Sequence, residues 1–157
     1  MSKFKVSDFY YGAVLSMLFS HGIKPALIEN GHDRQVYDFT TDNASFRLMV
    51  KYRGEKIDTK KPDYSSWVFN ISAEQKEISQ YIKEGKNLIL ALVCGTSELG
   101  DSQLAVLDSE QLIQILDKGK TSFTINIKKG EKAFRIPFDN DRENGIKVKC
   151  NRFEELF

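Results

Sequence analysis

An acid and an amine on neighbouring extended segments are the residues of this chain best placed to do chemistry. They are Asp38, in Val36-Tyr37-Asp38-Phe39, and Lys51, in Met49-Val50-Lys51, within the stretch from Ala26 to Arg53. Two uses are open to them. Asp38 can pair across an antiparallel ladder with Lys51 or with Arg47, worth about 0.2–1 kcal/mol on a solvated face. Alternatively, Asp38 and Lys51 belong to a polar reaction centre, with Glu29 as a further carboxylate carried by the first strand or its turn. His32, in Gly31-His32-Asp33, can act as a general base beside Asp33 or stand in solvent on a turn. His21 follows a helix, where a protonated ring suits the dipole. Cys94 lies in Leu92-Val93-Cys94-Gly95, where burial raises a thiol's pKa and makes it a small core hydrophobe. The sequence holds neither a nucleophile-elbow pattern nor a CxxC metal spacing.

The elements that must position these groups follow from periodicity. Phe9, Tyr10, Ala13, Val14, Met17 and Leu18 recur at helical spacing after Ser7, a capping residue, and Gly22 follows, so a helix is expected over 8–20. Ala26-Leu27-Ile28 and Gln35–Thr40 flank the turn chemistry of Asn30-Gly31 and read as two strands. In Phe46–Arg53 the apolar Phe46, Leu48, Val50 and Tyr52 alternate with Arg47, Met49, Lys51 and Arg53, the pattern of a third strand with two unlike faces. Residues 54–65 are charged, with Gly54 and Pro62, and read as an exposed loop.

Trp67–Ile71 is a short strand, and Ser72-Ala73-Glu74-Gln75 reads as a capping box opening a helix to about Glu84. Leu88–Cys94 is apolar throughout, as a strand covered on both faces is, which favours an α/β arrangement with helices on each side over a sandwich. Gln103–Leu107 forms another strand. Asp108-Ser109-Glu110-Gln111 then caps a helix to about Asp117, with Leu107 and Leu112 as its staple. Ser122–Lys128 and Lys132–Phe138 alternate around Lys129-Gly130-Glu131, a hairpin with one wet face and with Pro137 at its edge. Arg152–Phe157 forms a short helix or frays.

Composition limits the rest. The 157 residues are 41% hydrophobic and 29% charged, which suits a single globular domain. A net charge of +1 gives no global steering toward nucleic acid or an anionic membrane, so a basic footprint has to be local. Two cysteines form no disulfide framework, and a reducing cytoplasm is expected. The amino-terminal residues are interrupted by polar and acidic groups and the longest apolar run is strand length, so no membrane span is expected.

The order of helix, three strands, short strand, helix and buried strand resembles the core of the restriction-endonuclease-like, or PD-(D/E)xK, superfamily. In that family an Asp on the second strand and an acid-x-Lys on the third hold a divalent metal and activate water. The resemblance implies an α/β (α+β) fold with a mixed central sheet flanked by helices. Residues 8–117 would form the nuclease-like core and 118–157 a C-terminal hairpin and tail. It also implies Asp38 and Lys51 as catalytic residues and Mg²⁺ held by Asp38. Met49 stands where the second acid belongs, and a thioether is a soft donor unsuited to Mg²⁺. Glu29 is the remaining carboxylate for a rearranged site.

Two basic stretches supply the local charge that the whole chain lacks. Arg47, Lys51, Arg53, Lys56, Lys60 and Lys61 face only Glu55 and Asp58, with Tyr52, Tyr64 and Trp67 nearby for stacking. Lys118, Lys120, Lys128, Lys129, Lys132 and Arg135 face only Glu131, whereas Glu98, Asp101, Asp108 and Glu110 lie in a stretch without bases. Such strips bind phosphate backbones in a salt-dependent way or merely solvate a surface. Two functions follow as expectations: nucleic-acid binding on a nuclease-like fold, through Arg47, Arg53, Lys56, Lys60 and Lys61, or a non-enzymatic module that docks a protein partner.

Overall fold

The computed structural model describes residues 2–31, 33–57, 59–139 and 141–157. Its centre is β5 (Leu88–Cys94), buried at all seven positions. β5 lies parallel to β3 (Ser45–Arg53) and antiparallel to β6 (Gln103–Leu107). β1 (Ala26–Asn30) and β2 (Gln35–Thr40) extend the sheet beyond β3 as an antiparallel meander, giving the order β1-β2-β3-β5-β6. The fold is therefore mixed α and β with a mixed central sheet.

α1 (Val6–Ser20) covers one face of that sheet. Its Tyr10, Tyr11, Val14 and Leu18 pack with Leu48 and Val50 of β3, with Ile89 and Val93 of β5, and with Phe153 of the short helix α4 (Arg152–Leu156). The helix starts at Val6, two residues earlier than Ser7 would set it. The backbone N–H of Lys5 donates to the Asp8 carboxylate at 2.8 Å, an acid favoured by the positive end of the helix dipole.

On the opposite face the cover is partly a second sheet, where helices alone were expected. β4 (Tyr64–Asn70), β7 (Ser122–Lys128), β8 (Ala133–Phe138) and β9 (Asp141–Lys149) pair antiparallel in the order β4-β7-β8-β9. Trp67, Phe69, Ile125, Phe134 and Val148 pack with Met49, Leu90 and Leu92, and α2 (Gln75–Lys83) and α3 (Ser109–Asp117) add Ile78 and Leu112 to the same core. Trp67 ties the sheets further, its indole N–H donating to the Gly95 carbonyl at 2.8 Å. The capping box at Asp108 forms as expected, with Gln111 N–H to Oδ1 at 2.9 Å and Asp108 N–H to the Gln111 side chain at 3.0 Å.

Two local expectations are corrected. Ser72 does not open α2: its N–H and hydroxyl both bond to the Asn70 side chain, at 2.8 and 2.6 Å, and the helix begins at Gln75. Pro137 is not at an edge, because β9 pairs beyond β8. It sits instead at the irregularity between Ile136 and Phe138, where a residue without an N–H breaks no ladder bond. Gly145 lies opposite, so close that a Cβ there would be 2.0 Å from the Ile136 carbonyl oxygen.

Candidate functional site

β3 carries the candidate residues, and its alternation sorts them. Arg47, Met49 and Lys51 share the face of the sheet that α2 and the second sheet cover, while Leu48 and Val50 face α1. Asp38 is on the same face of β2, directly opposite Arg47 in the ladder. Four residues separate Arg47 from Lys51, about 13 Å along a strand. Asp38 and Lys51 are thus on one face but not neighbours, and each has a partner of its own.

Asp38 takes Arg47 in a bidentate pair, Nε to Oδ1 at 2.7 Å and Nη2 to Oδ2 at 2.8 Å. The Arg47 guanidinium holds the Asp38 carboxyl below its ordinary range, and that pair raises Arg47 in turn. Above Arg47 lies the Tyr81 ring of α2, centred 4.7 Å from the guanidinium carbon. The Tyr81 hydroxyl donates to Glu77 at 2.9 Å, and burial, followed by that bond, pushes its pKa up to about 12. Glu77 also accepts from Arg34 at 2.6 Å, and the same Arg34 nitrogen bonds Glu29 at 2.5 Å. Glu29, Arg34, Glu77, Tyr81, Arg47 and Asp38 form one polar chain fastening α2 to the sheet.

Lys51 is separate. Its Nζ donates to Glu74 Oε1 at 2.6 Å, in a pair whose members are only 7% and 3% exposed. Glu74 Oε2 is buried and has no hydrogen-bond partner among the described residues. The pair lies at a cleft of about 480 Å³ bounded by Asp33, Arg53, Glu55 and Phe69, where β3 ends and the turn after β4 enters α2.

These carboxylates do not fit a Mg²⁺ centre. Asp38 and Glu29 each spend an oxygen or two on a guanidinium, and Met49, in the place of a second acid, is wholly buried in the core. Among the described residues no group of three or more His, Cys, Asp or Glu side chains is arranged to hold a metal ion. His21 bonds the Met17 carbonyl through Nδ1 at 2.9 Å and meets the Phe153 ring edge-on. His32 lies outside the described residues. Cys94 is a core residue whose thiol is raised by burial.

The basic residues divide. Arg47 and Lys51 are committed to their acids, whereas Arg53, Lys56, Lys60 and Lys61 are exposed on β3's end and the following loop. That loop carries the first basic stretch to the second. Tyr64 pairs with Lys128 in the β4–β7 ladder, and Lys129 N–H donates to the Asp63 carbonyl at 2.7 Å. The Tyr64 ring has Lys61 at 5.3 Å, Lys128 at 5.9 Å and Arg142 at 5.1 Å. Arg142 also bonds Asn126 at 2.6 Å and pairs with Glu131, which lowers the Glu131 pKa. Sequence reasoning missed Arg142 because Asp141-Arg142-Glu143-Asn144-Gly145 reads as a polar loop. It missed Glu74 because the residue sits inside an apparent capping box.

Comparison of the chain with protein-family models, curated proteins and solved structures gives no match. No described helix is long and apolar enough to cross a membrane.

Proposed function

We propose that this chain binds nucleic acid on a restriction-endonuclease-like arrangement of elements, holding the phosphate backbone rather than hydrolysing it at Asp38 and Lys51. One observation carries this reading: two basic stretches far apart in sequence meet around Tyr64. Lys61, Lys128 and Arg142 surround the ring, with Lys60 and Lys129 alongside. Arg135, on the same sheet, has a buried Nε without a hydrogen-bond partner among the described residues and approaches Glu143 at 3.9 Å. The outer nitrogens of that guanidinium, on a partly exposed side chain, can meet a phosphate oxygen.

The helix, three-strand meander and crossover to a parallel strand support the nuclease-like comparison. The neutralised Asp38 weighs against retained hydrolysis. The test is anisotropy of labelled single- and double-stranded oligonucleotides across a salt series. The quadruple variant Lys60→Glu, Lys61→Glu, Lys128→Glu, Lys129→Glu should bind at least tenfold more weakly, with a shallower salt slope. Equal retention by wild type and variant would defeat the reading. A cleavage assay with Mg²⁺ and Mn²⁺ should give no product; product lost in Asp38→Ala and Lys51→Ala would restore hydrolysis.

A second reading, a protein-interaction module, has its own observation. An apolar groove of about 510 Å³ runs between α1, α4 and β6, lined by Phe9, Met17, Leu99 and Leu104 with Glu154 at its margin. Phe9 and Leu99 are more than half exposed. The acids beside Leu99 match a peptide with apolar anchors and basic flanks. Titration of a ¹⁵N-labelled sample with such a peptide should shift groove resonances, and a Phe9→Glu variant should not respond.

A further inference from the structure

Among the described residues, Oε2 of Glu74 is the buried carboxylate oxygen without a hydrogen-bond partner. Three other carboxylates among the described residues on the α2 face have partners: Asp38 has Arg47, Glu29 has Arg34, and Glu77 has Arg34 and Tyr81. Glu74 is 3% exposed, and buried polar atoms without a partner call for a specific account. Lys51 spends one N–H on Oε1, and an ammonium has three. Side by side, therefore, stand an unmet acceptor and a donor with capacity to spare. Both belong to the wall of a cleft of about 480 Å³, within the range of small-molecule sites. Phe69 supplies an apolar wall and Ala73 a small one.

We propose that this cleft receives a nucleobase edge. Glu74 Oε2 accepts an N–H from the base, and Lys51 Nζ donates to the ring nitrogen or carbonyl beside that N–H. Carboxylates accept in this way from the amino group of cytosine. The assignment rests on the nucleic-acid reading above and deepens it. Arg53 and Glu55 at the cleft begin the stretch of chain that leads to Lys60, Lys61 and Tyr64, so the cleft and the basic surface are joined by one connecting segment. Free bases and bases of a strand share this chemistry, and the experiment separates them.

The probes are 1-methylcytosine, which has an amino N–H beside a ring acceptor, and 1,3-dimethyluracil, which has no N–H. Saturation-transfer NMR on the full chain should show the first binding and the second not. Ala73→Phe, at an exposed turn position, fills the cleft while leaving the Lys51–Glu74 pair in place. It should keep the wild-type circular dichroism and reduce 1-methylcytosine binding at least tenfold. Glu74→Gln, which presents an amide in place of the free oxygen, should also weaken it. Indistinguishable binding of the two probes, absence of both, or unchanged binding in Ala73→Phe overturns the proposal.

In a second arm, an oligocytidine and an abasic backbone of equal length are compared. A preference for the oligocytidine that disappears in Ala73→Phe identifies bases of a strand as the source. Binding of 1-methylcytosine without that preference identifies free bases. Abasic backbone retained by wild type but lost in the Lys60, Lys61, Lys128 and Lys129 variant supports the backbone surface whatever the cleft does, so the two readings fail separately.

Discussion

Lys51 and Glu74 set the energetic stakes at the scale of single residues. Removing one member of a buried pair leaves the other charged and unsolvated, at a cost of about 3–5 kcal/mol, whereas replacing both by apolar residues of similar volume is often neutral or stabilising. Lys51→Ala should therefore destabilise the fold by about that amount in urea unfolding, and Lys51→Met with Glu74→Leu should recover most of the loss. A Lys51→Ala variant within 0.5 kcal/mol or so of wild type would mean that the pair is solvated. Asp38 responds to pH in a defined direction. Arg47 lowers its pKa, so the folded state binds the proton less well than the unfolded chain does. The stabilisation is fully present above the ordinary carboxylate value of about 3.9 and is lost as pH falls through the lowered folded value. Asp38 is more than one third exposed, so the effect is modest and screened by salt. The stability gap between wild type and Asp38→Asn should be present at neutral pH and should close in acid; a gap that widened there would contradict the pair.

Asp108 joins two helices. Its Oδ1 caps α3 through the Gln111 N–H, and its Oδ2 accepts from Arg152 of α4 at 2.6 Å. Asp108→Ala removes both contacts and should cost about 1–2 kcal/mol, while Asp108→Ser, which can still cap, should recover the helix part but not the tie to α4. If the serine variant were no better than alanine in thermal unfolding, the cap would not be the stabilising contact. This element was legible in sequence because capping is local: Asp108, Gln111 and the Leu107–Leu112 staple lie within six residues. β3 and β5 were legible for a similar reason, one through alternation and the other through its apolar run. β9 was not, because six of its nine residues are polar and its pairing is imposed by β8. Nor could the sequence show that β4 leaves the central sheet, since Tyr64–Asn70 alternates equally well for either. The candidate site followed the same rule. Asp38 opposite Arg47 was one of the pairings open from the strand pattern, whereas Lys51 with Glu74 depends on how the turn after β4 crosses the end of β3.

Across the whole molecule, the chain passes from the central sheet into the second and back. β4 falls between β3 and β5 in sequence, yet it pairs with β7, far along the chain, and fills the core from the second sheet. Neither sheet can lose its partner without exposing Met49, Leu90, Leu92, Trp67, Phe69 and Phe134 together. A shared core of this kind makes the two sheets one cooperative unit. Trp67, the single tryptophan of the chain, is on β4 and bonded to Gly95 beyond β5, so its fluorescence reports the junction itself. Urea unfolding followed by Trp67 emission and by far-ultraviolet circular dichroism should give coincident transitions with one midpoint. A fluorescence transition at lower urea than the loss of secondary structure would show the sheets separating first. Gly145→Ala tests the same coupling from a distance. The added methyl meets the Ile136 carbonyl oxygen at 2.0 Å and must shift β8 or β9, at a cost of about 1–3 kcal/mol typical of overpacking. If the sheets are one unit, both probes should move to lower urea by the same amount.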